Sequence, residues 1–141
     1  MMAFQKILLV DDDPEDRAII SDALVDLRDD VDIAIANNGE QALDLLHHDV
    51  TAGTLPCLVV LDLNMPKMGG AETLQHLKSS ETLKHIPVII YSTSINPFEQ
   101  QRCMALGAHS YITKPVSYRE SMDTARLFFA FCTSPHANVV K

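Results

Sequence analysis

The chain contains no tryptophan, only three cysteines and five glycines, and no long hydrophobic run. Each shortage narrows the field. A bilayer-spanning helix needs about 20 consecutive apolar residues, so no membrane association is expected. Met1 to Lys6 lacks the apolar core of a secretory signal, and a cytoplasmic location is expected. Cys57, Cys103 and Cys132 form no CxxC pair, and their odd number argues against a disulfide framework. All three are expected to be reduced and mostly buried. Basic residues are also short: 11 Lys and Arg stand against 19 Asp and Glu, a formal charge of −8. Such a surface repels nucleic-acid phosphates, so direct binding of DNA or RNA is not expected. The six histidines show no metal-ligand spacing. His47 and His48 are adjacent, and on a helix they point about 100° apart.

What is present is enough for one core. The 141 residues are 47% apolar, which suits one domain of common size. Short apolar runs alternate with segments of helical period. Lys6 to Val10 reads as a strand buried on both faces, stopped by Asp11-Asp12-Asp13-Pro14. Asp13 is a candidate N-cap and Pro14 suits a first helical turn. The following helix is predicted to run to about Leu27, with Ala18, Ile19, Ala23, Leu24 and Leu27 inward. Val31 to Ala36 and Leu58 to Leu61 read as the second and third strands, and Pro87 to Tyr91 and His109 to Thr113 as the fourth and fifth. Helices are predicted over Glu40 to His48, Ala71 to Ser80, Pro97 to Leu106 with Gly107 as C-cap, and Ser117 to Cys132. The domain is therefore placed at residues 1–132, with a mobile tail at 133–141. Five βα repeats imply an α/β, doubly wound parallel sheet with helices on both faces. The common order for five strands is 2-1-3-4-5, as in flavodoxin-like folds.

Ligands of such sheets bind outside the carboxyl ends of the strands, where the strand order reverses. There the sequence puts Asp11, Asp12 and Asp13 after the first strand and Asp62 after the third. Ser92 and Thr93 follow the fourth strand, and Lys114 the fifth. Several carboxylates at one apolar edge need cations nearby to stay ionised. An oxygen-rich set of this kind suits Mg²⁺. A nucleophilic aspartate, a cation, a lysine and a hydroxyl around one point meet the needs of a phosphoryl group. Asp13, beside Pro14, is explained by capping alone. Capping does not explain why separate strands end in acid at one edge while Lys114 ends another.

These residues carry a family resemblance. Leu9-Val10-Asp11-Asp12, then Leu61-Asp62-Leu63-Asn64-Met65-Pro66 with Gly70, then Ser92-Thr93, then Tyr111-Ile112-Thr113-Lys114-Pro115 occur in order. Over about Lys6 to Cys132 the chain resembles the receiver domain of two-component response regulators. The resemblance implies that Asp62 is the phosphoacceptor. It implies that Asp11 and Asp12 hold Mg²⁺ with Asp62, with the main-chain carbonyl of Asn64 as a further ligand. It makes Ser92 and Lys114 the partners of the phosphoryl oxygens, and Ser92 and Tyr111 the switch residues. The Lys114-Pro115 bond is often cis in the family. The implied donor is a histidine kinase or a histidine phosphotransfer protein, and the implied role is signalling, not enzymatic turnover. One departure is Gly69, where the family usually has Asp; a more flexible loop is expected.

No output module is read after the fifth repeat, so the domain is expected to act alone, by binding a target or by passing its phosphoryl group on. Tyr118, Met122, Ala125, Phe129 and Cys132 share the face of the last helix expected to meet the sheet. Leu127 and Phe131 lie on another face as a candidate patch for a homodimer or target. Three alternatives stay open. A small phosphatase of haloacid dehalogenase type would need an acid two residues after the nucleophile, where Asn64 stands. A flavodoxin-like cofactor protein would need a phosphate loop where three acids stand. A pseudo-receiver would lack a pocket residue, and none is missing.

Overall fold

Strands buried on both faces need apolar residues at nearly every position, and the runs at 6–10, 58–61 and 88–92 supply them, while the runs at 32–36 and 110–113 are only partly buried. The computed structural model describes residues 5–132, so the expected mobile tail at 133–141 lies outside the described residues. The strands are β1 (Lys6–Val10), β2 (Asp32–Ala36), β3 (Leu58–Leu61), β4 (Val88–Ser92) and β5 (Ser110–Thr113). They form one parallel sheet in the order β2-β1-β3-β4-β5. The helices are α1 (Pro14–Leu27), α2 (Gly39–Ala52), α3 (Gly70–Ser79), α4 (Pro97–Ala105) and α5 (Tyr118–Phe129). A 3₁₀ turn, Ala130–Cys132, ends the described chain. Among the described residues no helix is long and apolar enough to cross a membrane.

Alternation along each strand makes two cores. Leu8, Val10, Val59, Leu61, Val88 and Ile90 face Ala42 and Leu46 of α2, Leu74 and Leu77 of α3, and Cys103 of α4. Ile7, Leu9, Leu58, Val60, Ile89 and Tyr91 face Ile20, Ala23 and Leu24 of α1 and Ala125, Phe128 and Phe129 of α5. Helix ends follow local chemistry. Asp13 caps α1 by accepting from Glu15 N at 2.9 Å, and Asn38, Asn96 and Ser117 cap α2, α4 and α5 in the same way. Gly107 follows the end of α4 at φ 109°, a left-handed conformation that disfavours any residue with a Cβ.

Four expectations about helix faces and backbone need correction. In α1 the inward stripe is Ile20, Ala23, Leu24 and half-buried Leu27, while Ala18 is exposed and Ile19 is 51% exposed. The spacing i, i+3, i+4, i+7 fits one helical face better than a set including Ala18 and Ile19. In α5, Tyr118 does not meet the sheet: it is 58% exposed and its hydroxyl donates to Asp26. Ser121, Ala125, Phe128 and Phe129 are the buried positions, and Phe128 packs edge-on against Tyr91 with centroids 5.5 Å apart. Leu127 is exposed as expected, but Phe131 is half-buried and lies edge-on against His109 at 4.7 Å. The i, i+4 pairing assumed a continuous α-helix. The helix tightens to a 3₁₀ turn at Ala130, which changes the angle per residue and turns Phe131 onto the domain. Lastly, Lys114-Pro115 is trans, the form an X–Pro bond intrinsically prefers.

The cysteines are not all reduced. Cys57, just before β3, is bonded to Cys132, with the Cα atoms 5.4 Å apart. Cys103 alone is free and buried. The partners are 75 residues apart in the chain, so only the fold brings them together. A disulfide closing that separation stabilises by about 4 kcal/mol in the chain-entropy treatment. Thiol reduction, or Cys132→Ser, is predicted to lower the unfolding free energy in urea titrations by about 2–4 kcal/mol. An unchanged midpoint would show that the bond contributes nothing in solution.

Candidate functional site

Strand register alone brings two of the acids together. Val10 pairs with Leu61 at the carboxyl ends of β1 and β3. The ladder continues one residue further: Asp62 N donates to Val10 O at 2.9 Å and Asp11 N to Ala36 O at 3.0 Å. Asp11 and Asp62 therefore leave the sheet side by side, and both are buried. Asp12 is exposed above them. One carboxylate oxygen from each of Asp11, Asp12 and Asp62 lies within 4.8 Å of the others. Ser92, fully buried at the end of β4, pairs with Thr113, and Lys114 N donates to Ser92 O at 2.9 Å. That bond starts the Lys114 side chain at the same sheet edge.

The lysine crosses to the acids. Its Nζ donates to Asp11 Oδ2 at 2.7 Å and to Asp16 Oδ2 at 2.8 Å, and lies 3.7 Å from Asp62 Oδ1. The Tyr91 ring flanks it, with the ammonium 5.9 Å from the centroid. Asp11 is held from two more directions. Its Oδ1 accepts from Asp13 N at 3.0 Å, and its carbonyl accepts from Arg17 Nη1 at 2.7 Å. Arg17 also donates to Asn37 Oδ1 at 2.8 Å, which ties the start of α1 to the loop after β2.

Burial and charge oppose each other here. Burial pushes the Asp62 carboxyl up to about 6; Lys114 pulls it down, and Asp11 and Asp12 add to the rise. Burial alone would lower the Lys114 pKa, but the bonds from Asp11 and Asp16 and the charge of Asp62 outweigh it and raise it. The site thus has more carboxylates than cations to neutralise them. The converging donors are all hard oxygens, the chemistry that suits a small divalent cation.

The loop from Asp62 back to α3 passes close over the site. Gly70 N donates to Leu63 O at 2.9 Å. A Cβ on Gly70 would clash with the Asp62 carbonyl and come within 2.7 Å of Leu63 Cα, so only glycine allows this approach. Gly69 is the N-cap of α3 and has no side-chain cap bond. The Gly69 carbonyl accepts from Thr73 N at 3.0 Å and Thr73 Oγ1 at 2.7 Å.

Asp11, Asp12, Asp62, Ser92 and Lys114 meet at one edge, as the sequence placed them. Asn64 lies two residues beyond Asp62 in the loop and is exposed. Tyr111 is half-buried on β5, and its hydroxyl donates to Ser94 O at 2.8 Å. Ser94 N in turn donates to Ser92 Oγ at 3.2 Å, so Ser94 links Ser92 to Tyr111. Asp16 was missed. In the sequence it is an acid in a first helical turn, where the helix dipole already accounts for it.

Comparison with known proteins agrees with this geometry. The family model described as response regulator receiver domain matches residues 7–126. Two-component response regulator ORR11 of Oryza sativa subsp. indica is 35% identical over 122 residues, covering 86% of this chain and 77% of that protein. Probable methanogenesis regulatory protein FilR2 of Methanothrix harundinacea is 36% identical over 119 residues, covering 84% and 77%. Among solved structures, the phosphorylated cyanobacterial phytochrome response regulator RcpA superposes with a TM-score of 0.82 at 33% identity, covering 92% of this chain and 94% of that one. The Mn²⁺-bound form of response regulator Rcp1 gives 0.78 at 28% identity, covering 90% and 93%. A parallel sheet of order 2-1-3-4-5 carrying this acid–lysine edge is that of a response regulator receiver. The chain belongs to the response regulator receiver domain family.

The carboxyl raised from 3.8 to about 6 means that ionising Asp62 opposes folding. At 1.36 kcal/mol per unit the opposition is about 3 kcal/mol. It is absent below pH about 4 and full above pH about 6. In cation-free buffer Asp62→Asn is therefore predicted to stabilise the domain at pH 7 by about 1–3 kcal/mol, and not at all below pH about 4. Denaturant titrations at the two pH values measure this; an equal difference at both would contradict it.

Proposed function

We propose that this domain is a phosphoacceptor of histidine–aspartate signalling, with Asp62 as the accepting residue. The observation that carries this role is Asp62 itself. It is a buried carboxylate at a strand end, with an ammonium 3.7 Å away and further carboxylates converging on it. The proposed donor is a phosphohistidine on a sensor kinase or a phosphotransfer protein, in keeping with relatives named as two-component response regulators. A carboxylate oxygen of Asp62 forms a bond to phosphorus as the phosphorus–nitrogen bond to the imidazole breaks. The electron pair of that bond leaves on the imidazole nitrogen.

Asp11, Asp12 and Asp62 would hold Mg²⁺, with the main-chain carbonyl of Asn64 as the further ligand. When bound, the ion supplies positive charge against the carboxylates and the incoming phosphoryl oxygens. Lys114, just after β5, offers a second positive charge. Ser92 offers a hydroxyl to a phosphoryl oxygen. In moving to do so it would disturb the Ser94 N–H bond it now accepts, and Ser94 O is where the Tyr111 hydroxyl is held. Signalling then follows as a shift between two arrangements of Ser92, Ser94 and Tyr111, biased by the new dianion.

Wild-type protein incubated with acetyl phosphate or phosphoramidate and Mg²⁺ is expected to take up one phosphoryl group per chain. Asp62→Asn is expected to take up none, and chelation of the metal should reduce wild-type labelling at least tenfold. Intact-mass spectrometry reads both. Unchanged labelling of Asp62→Asn would overturn the assignment.

A further inference from the structure

We propose that Asp16 is a positioning residue: it holds Lys114 in the unphosphorylated domain and gives it up when Asp62 is phosphorylated, restraining the reaction. The proposal rests on the phosphoacceptor role of Asp62 argued above. Lysine has three N–H donors. In this structure Lys114 bonds Asp11 at 2.7 Å and Asp16 at 2.8 Å, whereas its 3.7 Å contact with Asp62 is beyond hydrogen-bond length. The lysine is therefore drawn toward α1, away from the carboxylate it would serve.

The two competing acids are not equivalent. Asp11 is buried and tied by Asp13 N to its side chain and by Arg17 to its carbonyl. Asp16 lies in the first turn of α1 with its side chain 32% exposed. Among the described residues its carboxylate is bonded to Lys114 alone. A carboxylate that can return to water gives way more easily than one that cannot. A phosphoryl group on Asp62 would bring up to two negative charges and three acceptor oxygens. These outcompete a single half-exposed carboxylate for the ammonium. Until then Asp16 lowers the fraction of molecules in which Lys114 is free to meet the incoming group.

The test compares Asp16→Asn and Asp16→Ala with wild type, with Asp16→Glu as the conservative variant. Glu15→Gln is the control: it removes a charge one position away, on an exposed residue with no contact to Lys114. Rates of labelling by phosphoramidate at saturating Mg²⁺ are expected to rise about fivefold in Asp16→Asn and Asp16→Ala, the upper range for a partly exposed ion pair. Asp16→Glu and Glu15→Gln should stay within about twofold of wild type. The Lys114 Nζ resonance, read by NMR without any phosphodonor, should shift in Asp16→Asn and not in Glu15→Gln. This reading does not depend on phosphorylation. Unchanged rates in both Asp16 variants, an equal rise in Glu15→Gln, or a Lys114 resonance unmoved by Asp16→Asn would each overturn the proposal. Absence of labelling in wild type would instead remove the phosphoacceptor role beneath it, and the restraint with it.

Discussion

One lysine among carboxylates is the interaction on which the rest depends. Strand register forces Asp11 and Asp62 out of the sheet side by side, under an apolar floor where charge is poorly solvated. Two buried carboxylates repel each other, and burial raises the energy of each charged form. Lys114 offsets part of this, reaching from the far side of the sheet to Asp11, Asp16 and Asp62. It does not offset all of it, as the raised Asp62 carboxyl shows. The edge is left electron-rich and short of cations. That imbalance opposes folding and would favour added positive charge at this edge.

The surrounding fold keeps the imbalance from relaxing. Asp11 cannot turn away, because Arg17 and the Asp13 N–H hold it from α1. Asp62 cannot retreat, because the loop returning through Gly70 packs on its backbone. A softer link lies at the carboxyl end of β4, at the same edge. There Ser92 and Tyr111 are joined through the backbone of Ser94 by bonds of ordinary strength. Such bonds contribute about 1 kcal/mol each, small enough for a new charge at Asp62 to rearrange them. A rigid acid edge beside a weakly held hydroxyl pair would suit the two-state response proposed above.

Strands were legible because burial on both faces demands continuous branched runs, and Lys6 to Val10 and Leu58 to Leu61 have no other plausible home. The acid edge followed, since the residue after each strand must emerge at the same side of a parallel sheet. Helix faces were less legible. A shift of one residue turns a helix by about 100°, so Ile19 and Ile20 compete for the inward position and only packing decides. Phe131 was misplaced because nothing local marks the change from α-helix to 3₁₀ turn. The Cys57–Cys132 bond was invisible, because its partners meet only after the whole sheet has formed. Asp16 was hidden by a sufficient local explanation: an acid in a first helical turn needs no distant lysine.

In the proposed role this edge delivers its chemistry to one atom group, the Asp62 carboxylate. Borohydride reduces an aspartyl phosphate to homoserine, so the phosphorylated protein can be trapped, digested and sequenced by mass spectrometry. Homoserine is expected at position 62 and at no other aspartate. Homoserine at position 11 or 12, or a stable phosphate elsewhere with position 62 intact, would contradict it.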